Sequence, residues 1–249
     1  MILTKISVLH DNYIWILYNK KGSCIIIDPG VADAVITKII QKKLNPIAIL
    51  LTHEHIDHTG GVNKILKIYP NIIVFGPKEI KNNYIHEVVT GGDKISLLKK
   101  NIYVFFTPGH TLNHVSYYLK PYLFCGDTIF SCGCGKVFNN NYLDMYYSIE
   151  LIKSFPKYTI LCWSHEYTLS NLNFSINIIP KDKSIKKYYK KIKKKLYLKK
   201  SIFPFYLFNE KKNNIFLRTN DPSLIKELKL QSKSYFDIFK YLRIEKNNF

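Results

Sequence analysis

The chain has 249 residues, 47% of them hydrophobic, and its 37 Lys and Arg against 18 Asp and Glu give a formal net charge of +19. This length can bury a core as one large domain or two modest ones, and this composition excludes disorder. No apolar run approaches the roughly 20 residues needed to cross a bilayer. Met1-Ile2-Leu3-Thr4-Lys5 enters a strand-like pattern without the segments of a secretory signal, so a cytoplasmic protein off the membrane is expected.

Ile2 to Leu9, Tyr13 to Tyr18 and Ser23 to Ile27 read as strands, separated by turns at Asp11-Asn12 and Asn19-Lys20-Lys21-Gly22. Asp28-Pro29-Gly30 closes the third. A helix follows from Asp33 to about Lys43, with Val35, Ile36, Ile39, Ile40 and Leu44 on one face and Pro46 as its stop. The apolar run Ile47 to Leu51 is a buried strand. It leads directly into Thr52-His53-Glu54-His55-Ile56-Asp57-His58-Thr59-Gly60-Gly61, a polar loop at a rigid strand end, where a site is expected. Imidazole and carboxylate together suit zinc, iron or manganese better than calcium. His53 and His55 alternate as in an extended backbone and would grip one ion, while Asp57 and His58 are offset toward a second.

A short helix over Asn63 to Ile68 and a strand over Ile72 to Phe75 follow. Further strands are expected at Ile102 to Phe106, Val115 to Leu119, Leu123 to Cys125 and Thr159 to Cys162, with a helix over Ser148 to Phe155. Three of these runs end in ligand-type residues: Pro108-Gly109-His110, Gly126-Asp127 and Ser164-His165. A catalytic metal needs three or more protein ligands and an open position, and a two-metal site about twice that with a bridging group. Beyond residue 167 helical signals dominate: Leu172 to Ile179, the basic stretch Lys183 to Leu198, Asp221-Pro222 to Leu230, and Ser234 toward Lys246. Residues 1–167 are therefore read as a metal-binding domain and 168–249 as a helical one. The five cysteines read as reduced thiols, and Cys132-Gly133-Cys134 as passive beside a His and Asp set that is complete without it.

The motifs Thr52 to His58, Thr107-Pro108-Gly109-His110, Gly126-Asp127-Thr128 and His165 resemble the metallo-β-lactamase superfamily. Within it, the chain is most similar to the hydroxyacylglutathione hydrolase (glyoxalase II) family. The added matches are Asp11-Asn12-Tyr13-Ile14-Trp15, Asp28-Pro29-Gly30, Gly133-Cys134-Gly135-Lys136, His165-Glu166-Tyr167-Thr168 and Arg243-Ile244-Glu245-Lys246, so the resemblance covers essentially the whole chain. It implies an α+β fold, an αββα sandwich followed by a small helical domain. It implies a first metal on His53, His55 and His110, a second on Asp57, His58 and His165, and Asp127 as the bridge. Zinc is the expected ion, with iron or manganese as alternatives.

The implied reaction is hydrolysis of S-(2-hydroxyacyl)glutathione, chiefly S-D-lactoylglutathione, to glutathione and D-lactate, the second step of methylglyoxal detoxification. Asp57 and Asp127 would be its catalytic carboxylates, beside a hydroxide held between the ions. Lys136, Phe138, His165, Tyr167, Arg243 and Lys246 would bind the glutathione arm, with Phe138 lacking the hydroxyl that relatives often place there. Asp28 is expected to accept a hydrogen bond from a ligand histidine, and His114 to support the site from behind. The main rival is a metal-dependent nuclease on the same sandwich, favoured only by the charge. A lapsed basic binding module is a third reading. Scattered lysine alongside abundant Ile, Asn and Tyr fits AT-rich coding, so no nucleic-acid partner is expected and a monomer is the default.

Overall fold

A computed structural model describes residues 1–81 and 83–249. β1 (Ile2–Val8), β2 (Asn12–Tyr18), β3 (Ser23–Ile27), β4 (Asn45–Leu50), β5 (Ile73–Gly76) and β6 (Glu87–Val88) form one sheet in sequential order. β7 (Lys94–Leu97), β8 (Lys100–Phe106), β9 (Val115–Leu119), β10 (Tyr122–Gly126) and β13 (Ile160–Trp163) form a second, ordered β13-β10-β9-β8-β7. β11 (Ile129–Phe130) and β12 (Gly133–Cys134) make a separate hairpin.

Strand alternation explains the layers. Tyr13, Trp15 and Leu17 of β2 join Ile25, Ile27, Ala48 and Leu50 in one core with Val104, Tyr117 and Leu123 of the second sheet. Ile14, Ile16, Ile26 and Ile49 point the other way, onto α1 (Ala32–Lys42) and α3 (Val62–Ile68) through Val35, Ile39, Val62 and Ile65. Because β2 is buried on both faces, it reads as a continuous apolar run. On the far side α4 (Tyr142–Ser154) leads into Phe155, whose ring meets Phe105 and Tyr118 edge-on at 4.9 Å. The layers are α, β, β, α.

The remainder is helical: α5 (Thr168–Ile178), α6 (Lys183–Tyr197), α7 (Leu207–Asn213), a 3-10 turn (Ile215–Leu217), α8 (Pro222–Leu228) and α9 (Tyr235–Asn247). Asp221 and Ser234 cap α8 and α9 as their sequence predicts, Ser234 with Asp237 in a reciprocal capping box. Between α6 and α7 the chain lies along the edge of β13, with Leu161 N donating to Phe205 O at 2.8 Å and Leu207 N to Thr159 O at 2.9 Å. Trp163 stacks on Phe205 at 4.1 Å.

Several expectations need correction. Asp57 and His58 are not in an open loop but on a helical turn, α2 (Ile56–Thr59). Ile40 points to solvent at 66% exposure, leaving Ala32, Val35 and Ile39 as the buried face of α1. That helix ends at Lys43, which turns left-handed at φ 51°, before Pro46 is reached. α4 begins at Tyr142, ahead of the expected Ser148, and α7 and the short strands β6, β7, β11 and β12 gave no periodic signal.

Candidate metal centre

Each ligand-type residue stands just past a strand end. β4 delivers His53 and His55, α2 adds Asp57 and His58, the turn after β8 brings His110, and β10 and β13 end at Asp127 and His165. Cross-links hold these ends in register. Tyr117 Oη donates to Leu51 O at 2.7 Å, Trp15 Nε1 to Trp163 O at 2.9 Å, and Tyr13 N to Ser164 O at 2.6 Å. Gly126 has φ 46°, and a Cβ there would come within 2.5 Å of Thr52 Oγ1 and 2.6 Å of His114 Nε2, so only glycine lets β10 deliver Asp127 this closely.

The seven side chains converge. His55 Nδ1 lies 3.0 Å from His53 Nε2 and 3.1 Å from His110 Nε2. Asp127 Oδ2 lies 3.3 Å from His110 Nε2 and 3.4 Å from His165 Nε2, while its Oδ1 is 3.4 Å from His58 Nε2. Asp57 Oδ2 is 3.4 Å from His165 Nε2 and 3.6 Å from His58 Nε2. Ligand atoms of His53, His55 and His110, of His53, His58 and Asp127, and of Asp57, His58 and His165 each lie within 4.8 Å of one another.

These residues fit a divalent ion on three grounds. Nε2 of His58 and Oδ1 of Asp127 are buried without a hydrogen-bond partner, a cost that coordination removes. Tetrahedral bonds of about 2.0–2.1 Å place ligand nitrogens about 3.3 Å apart, close to the spacing of the first triad. The donors are imidazole and carboxylate, and no cysteine joins them among the described residues. All five cysteines are free and buried, and burial raises each thiol above its ordinary value.

The outer contacts fix which nitrogen faces inward. His53 Nδ1 is 3.0 Å from Thr52 Oγ1, which donates to Asp28 Oδ2 at 2.8 Å, leaving Nε2 for an ion. Asp28 thus reaches His53 through Thr52 and stands 3.2 Å from His58 Nδ1. His110 Nδ1 donates to Lys136 O at 2.8 Å, and His165 Nδ1 to Asp11 Oδ1 at 2.8 Å. His114 lies beneath, stacked on His53 and accepting from Asp127 N at 3.2 Å. Burial, then neighbouring imidazoles, hold His53 and His114 well below imidazole's ordinary value. Burial opposes ionisation of Asp127, yet His58 and His165 overcome it and hold its carboxyl far below the usual range. Burial also opposes charge on His165, but Asp127 and Asp57 push it up to about 11. The carboxylates therefore demand positive charge here, which an ion meets while leaving the imidazole neutral.

Asn12, read only as part of a turn, donates to Asp57 Oδ2 at 2.9 Å. Asp11 and Asn12 thus contact candidate ligands, and the one signal for them beyond the turn was the Asp11 to Trp15 match.

The residues expected to bind substrate differ in depth and in what they touch. Tyr167 stacks on His165 at 5.1 Å and meets Phe130 edge-on. Phe138 is 41% exposed and tilts over His110 at 5.4 Å, in a cleft of 620 Å³ shared with His55, Lys78 and Asn139. Lys136 is exposed, its ammonium 5.4 Å from the Phe138 ring. Lys246 donates to Ser170 Oγ at 3.1 Å. Arg243 is different: it is 5% exposed, and its Nη1 donates to Cys134 O at 2.9 Å and Gly135 O at 3.4 Å.

Known families match both parts of the chain. Residues 10–165 match the metallo-beta-lactamase superfamily and residues 166–249 match the hydroxyacylglutathione hydrolase C-terminus. Two proteins named hydroxyacylglutathione hydrolase, both from Buchnera aphidicola, are similar along their whole length. The one from the Schizaphis graminum subspecies is 61% identical over 250 residues, covering 100% of both chains. The one from the Acyrthosiphon pisum subspecies is 57% identical over 248 residues, covering 99% of each. Among solved structures, the BLEG-1 B3 metallo-beta-lactamase superposes with a TM-score of 0.66 at 23% identity, over 87% of this chain and 99% of that one, a likeness of fold.

Proposed function

The chain belongs to the hydroxyacylglutathione hydrolase family of the metallo-beta-lactamase superfamily and is a hydrolase of the glyoxalase II type, and from that premise we propose how its residues divide the work. The substrate is an S-(2-hydroxyacyl)glutathione, chiefly S-D-lactoylglutathione, cleaved to glutathione and the hydroxy acid. Full-length similarity to proteins of that name favours this over the nuclease alternative. The observation that carries the chemistry is Asp127 Oδ2, which faces His110 of one triad and His165 of the other at 3.3 and 3.4 Å.

His53, His55 and His110 would hold one ion, Asp57, His58 and His165 a second, with Asp127 shared and zinc the favoured metal. When bound, such ions supply Lewis acidity that acidifies a water and polarises a carbonyl. Asp127 and Asp57 stay anionic beside their histidines and orient the attacking water by accepting its hydrogen bonds. His165, fixed by Asp11, and Tyr167, stacked against it, form the wall on which the thioester lies. The leaving thiolate has a pKa of about 8.5, so it departs without a separate general acid.

Lys136, Phe138, Tyr167 and Lys246 make the glutathione-facing rim, with Arg243 behind it on the carbonyls that precede Lys136. Residues 1–167 act as the metal-binding domain and 168–249 as the substrate-binding helical domain, in a monomer of the cytoplasm that takes no nucleic acid. No helix among the described residues is long and apolar enough to cross a membrane. The test is hydrolysis of S-D-lactoylglutathione with and without a chelator, run beside cleavage of a tRNA precursor. Chelator-sensitive thioester hydrolysis alone is expected. Cleavage of the RNA without thioester turnover would overturn the reading.

A further inference from the structure

Between Asp127 and Lys136 the chain makes only the β11–β12 hairpin, and the backbone at its tip is held by side chains of the helical region. Asn171 of α5 donates to Ser131 O at 3.0 Å. Glu210 of α7 accepts from Cys132 N at 2.7 Å, at a residue turned left-handed with φ 56°. Asn214 donates to Gly133 O at 2.9 Å and to Phe130 O at 3.3 Å, and Arg243 of α9 takes Cys134 O and Gly135 O. The four clamping side chains are 0% to 5% exposed. A buried amide or carboxyl brought to bare backbone in this way serves geometry, since each such group costs free energy unless fully partnered.

The hairpin transmits that geometry to the metal ligands at both of its ends. Gly135 N donates to Thr128 O, and a Cβ on Gly135 would come within 1.9 Å of Asp127 O, so the returning strand rests directly on the aspartate's backbone. One residue further on, Lys136 O fixes the ring of His110. We propose that Asn171, Glu210 and Asn214 are positioning residues for Asp127 and His110, through which the helical region sets metal affinity and turnover without touching the substrate. This rests on the reading of Asp127 and His110 as ligands.

The full-length chain is to be compared with Glu210→Met, which removes the acceptor for Cys132 N, Glu210→Gln, which keeps one, and Asn171→Ala. Zinc affinity is measured by chelator competition, and kcat and KM with S-D-lactoylglutathione. Groups that orient metal ligands typically contribute about 10–100-fold, so Glu210→Met and Asn171→Ala are expected to weaken zinc binding about 10-fold or more. The same two variants should lower kcat with KM within about twofold, and Glu210→Gln should stay near wild type. Folded variants with wild-type zinc affinity and kcat, or a rise in KM alone, would overturn the proposal. So would equal losses in Glu210→Gln and Glu210→Met. If Glu210→Met does not fold, Asn171→Ala decides. If the wild-type chain does not hydrolyse the thioester, the functional reading fails while zinc affinity still tests the clamp.

Discussion

Glu210 sets a pH dependence of stability that is open to direct measurement. Burial raises its carboxyl from an ordinary 4.5 to about 7, and the hydrogen bonds from Cys132 N and Asn214 offset that only in part. A raised folded-state value means that the native state holds the proton more tightly than the unfolded chain does. The associated stability is present in full below 4.5 and is lost as pH rises toward 7, above which both states are ionised. At 1.36 kcal/mol per pKa unit, a rise of about 2.5 units corresponds to about 3 kcal/mol over that window. In Glu210→Gln the amide oxygen can still accept from Cys132 N, and no buried charge develops. Urea denaturation of the metal-free protein at several pH values between 4.5 and 8 should show this variant gaining about 3 kcal/mol relative to wild type as pH rises. A constant difference across the range would mean that Glu210 is ionised throughout, held by donors stronger than those identified, and the reasoning would fail.

Asp127→Ala should lower bound metal, read by mass spectrometry, and abolish thioester hydrolysis while leaving the circular dichroism spectrum intact. Phe138→Tyr should lower KM by an amount consistent with about 0.5–1.5 kcal/mol and barely alter kcat, because a rim contact is equal in ground and transition states; unchanged KM would place the hydroxyl away from the substrate. Burial, and then Arg243, lower the Lys246 ammonium to about 8, so its charge is lost as pH rises through that value. KM for the glutathione thioester should accordingly rise above pH 8 in the wild type, and that rise should vanish in Lys246→Ala.

The candidate metal ligands, which the structure brings together, were legible in the sequence because the features that mark them are local. An apolar run such as Ile47 to Leu51 marks a strand end, and the residues just past it are free to carry chemistry. The sandwich layers follow from the same runs, with alternation assigning Trp15 to the inter-sheet core and Ile16 to the helices. What stayed hidden is non-local. Glu210 and Asn214 lie in a short helix and the turn after it that carry no periodic pattern. Their partners are backbone atoms some 80 residues earlier, a pairing that no spacing rule encodes. Asp57 and His58 were read as candidate ligands but misplaced in conformation, because a four-residue helical turn is too short to announce itself.

Arg243 shows how far a spacing argument reaches. The i, i+3 relation to Lys246 places both on one face of α9, as a helix requires. It says nothing about depth, and depth separates their roles. Lys246 reaches Ser170 at the surface, whereas Arg243 lies beneath, with Phe216 5.6 Å from its guanidinium and two hairpin carbonyls at its tip. A guanidinium is suited to that place because its Nη1 serves both carbonyls while Nη2 reaches Asn247 Oδ1 at 3.0 Å, and it stays charged when buried, which an ammonium there would not do as readily. Its positive charge, fixed under the residues that lead into Lys136, still adds to the field met by an anionic substrate, while its contacts act on the hairpin. A cation placed only at the surface could grip carboxylate but would hold no backbone. One placed under the backbone of the site adds to that field and also holds the geometry on which the metal ligands depend.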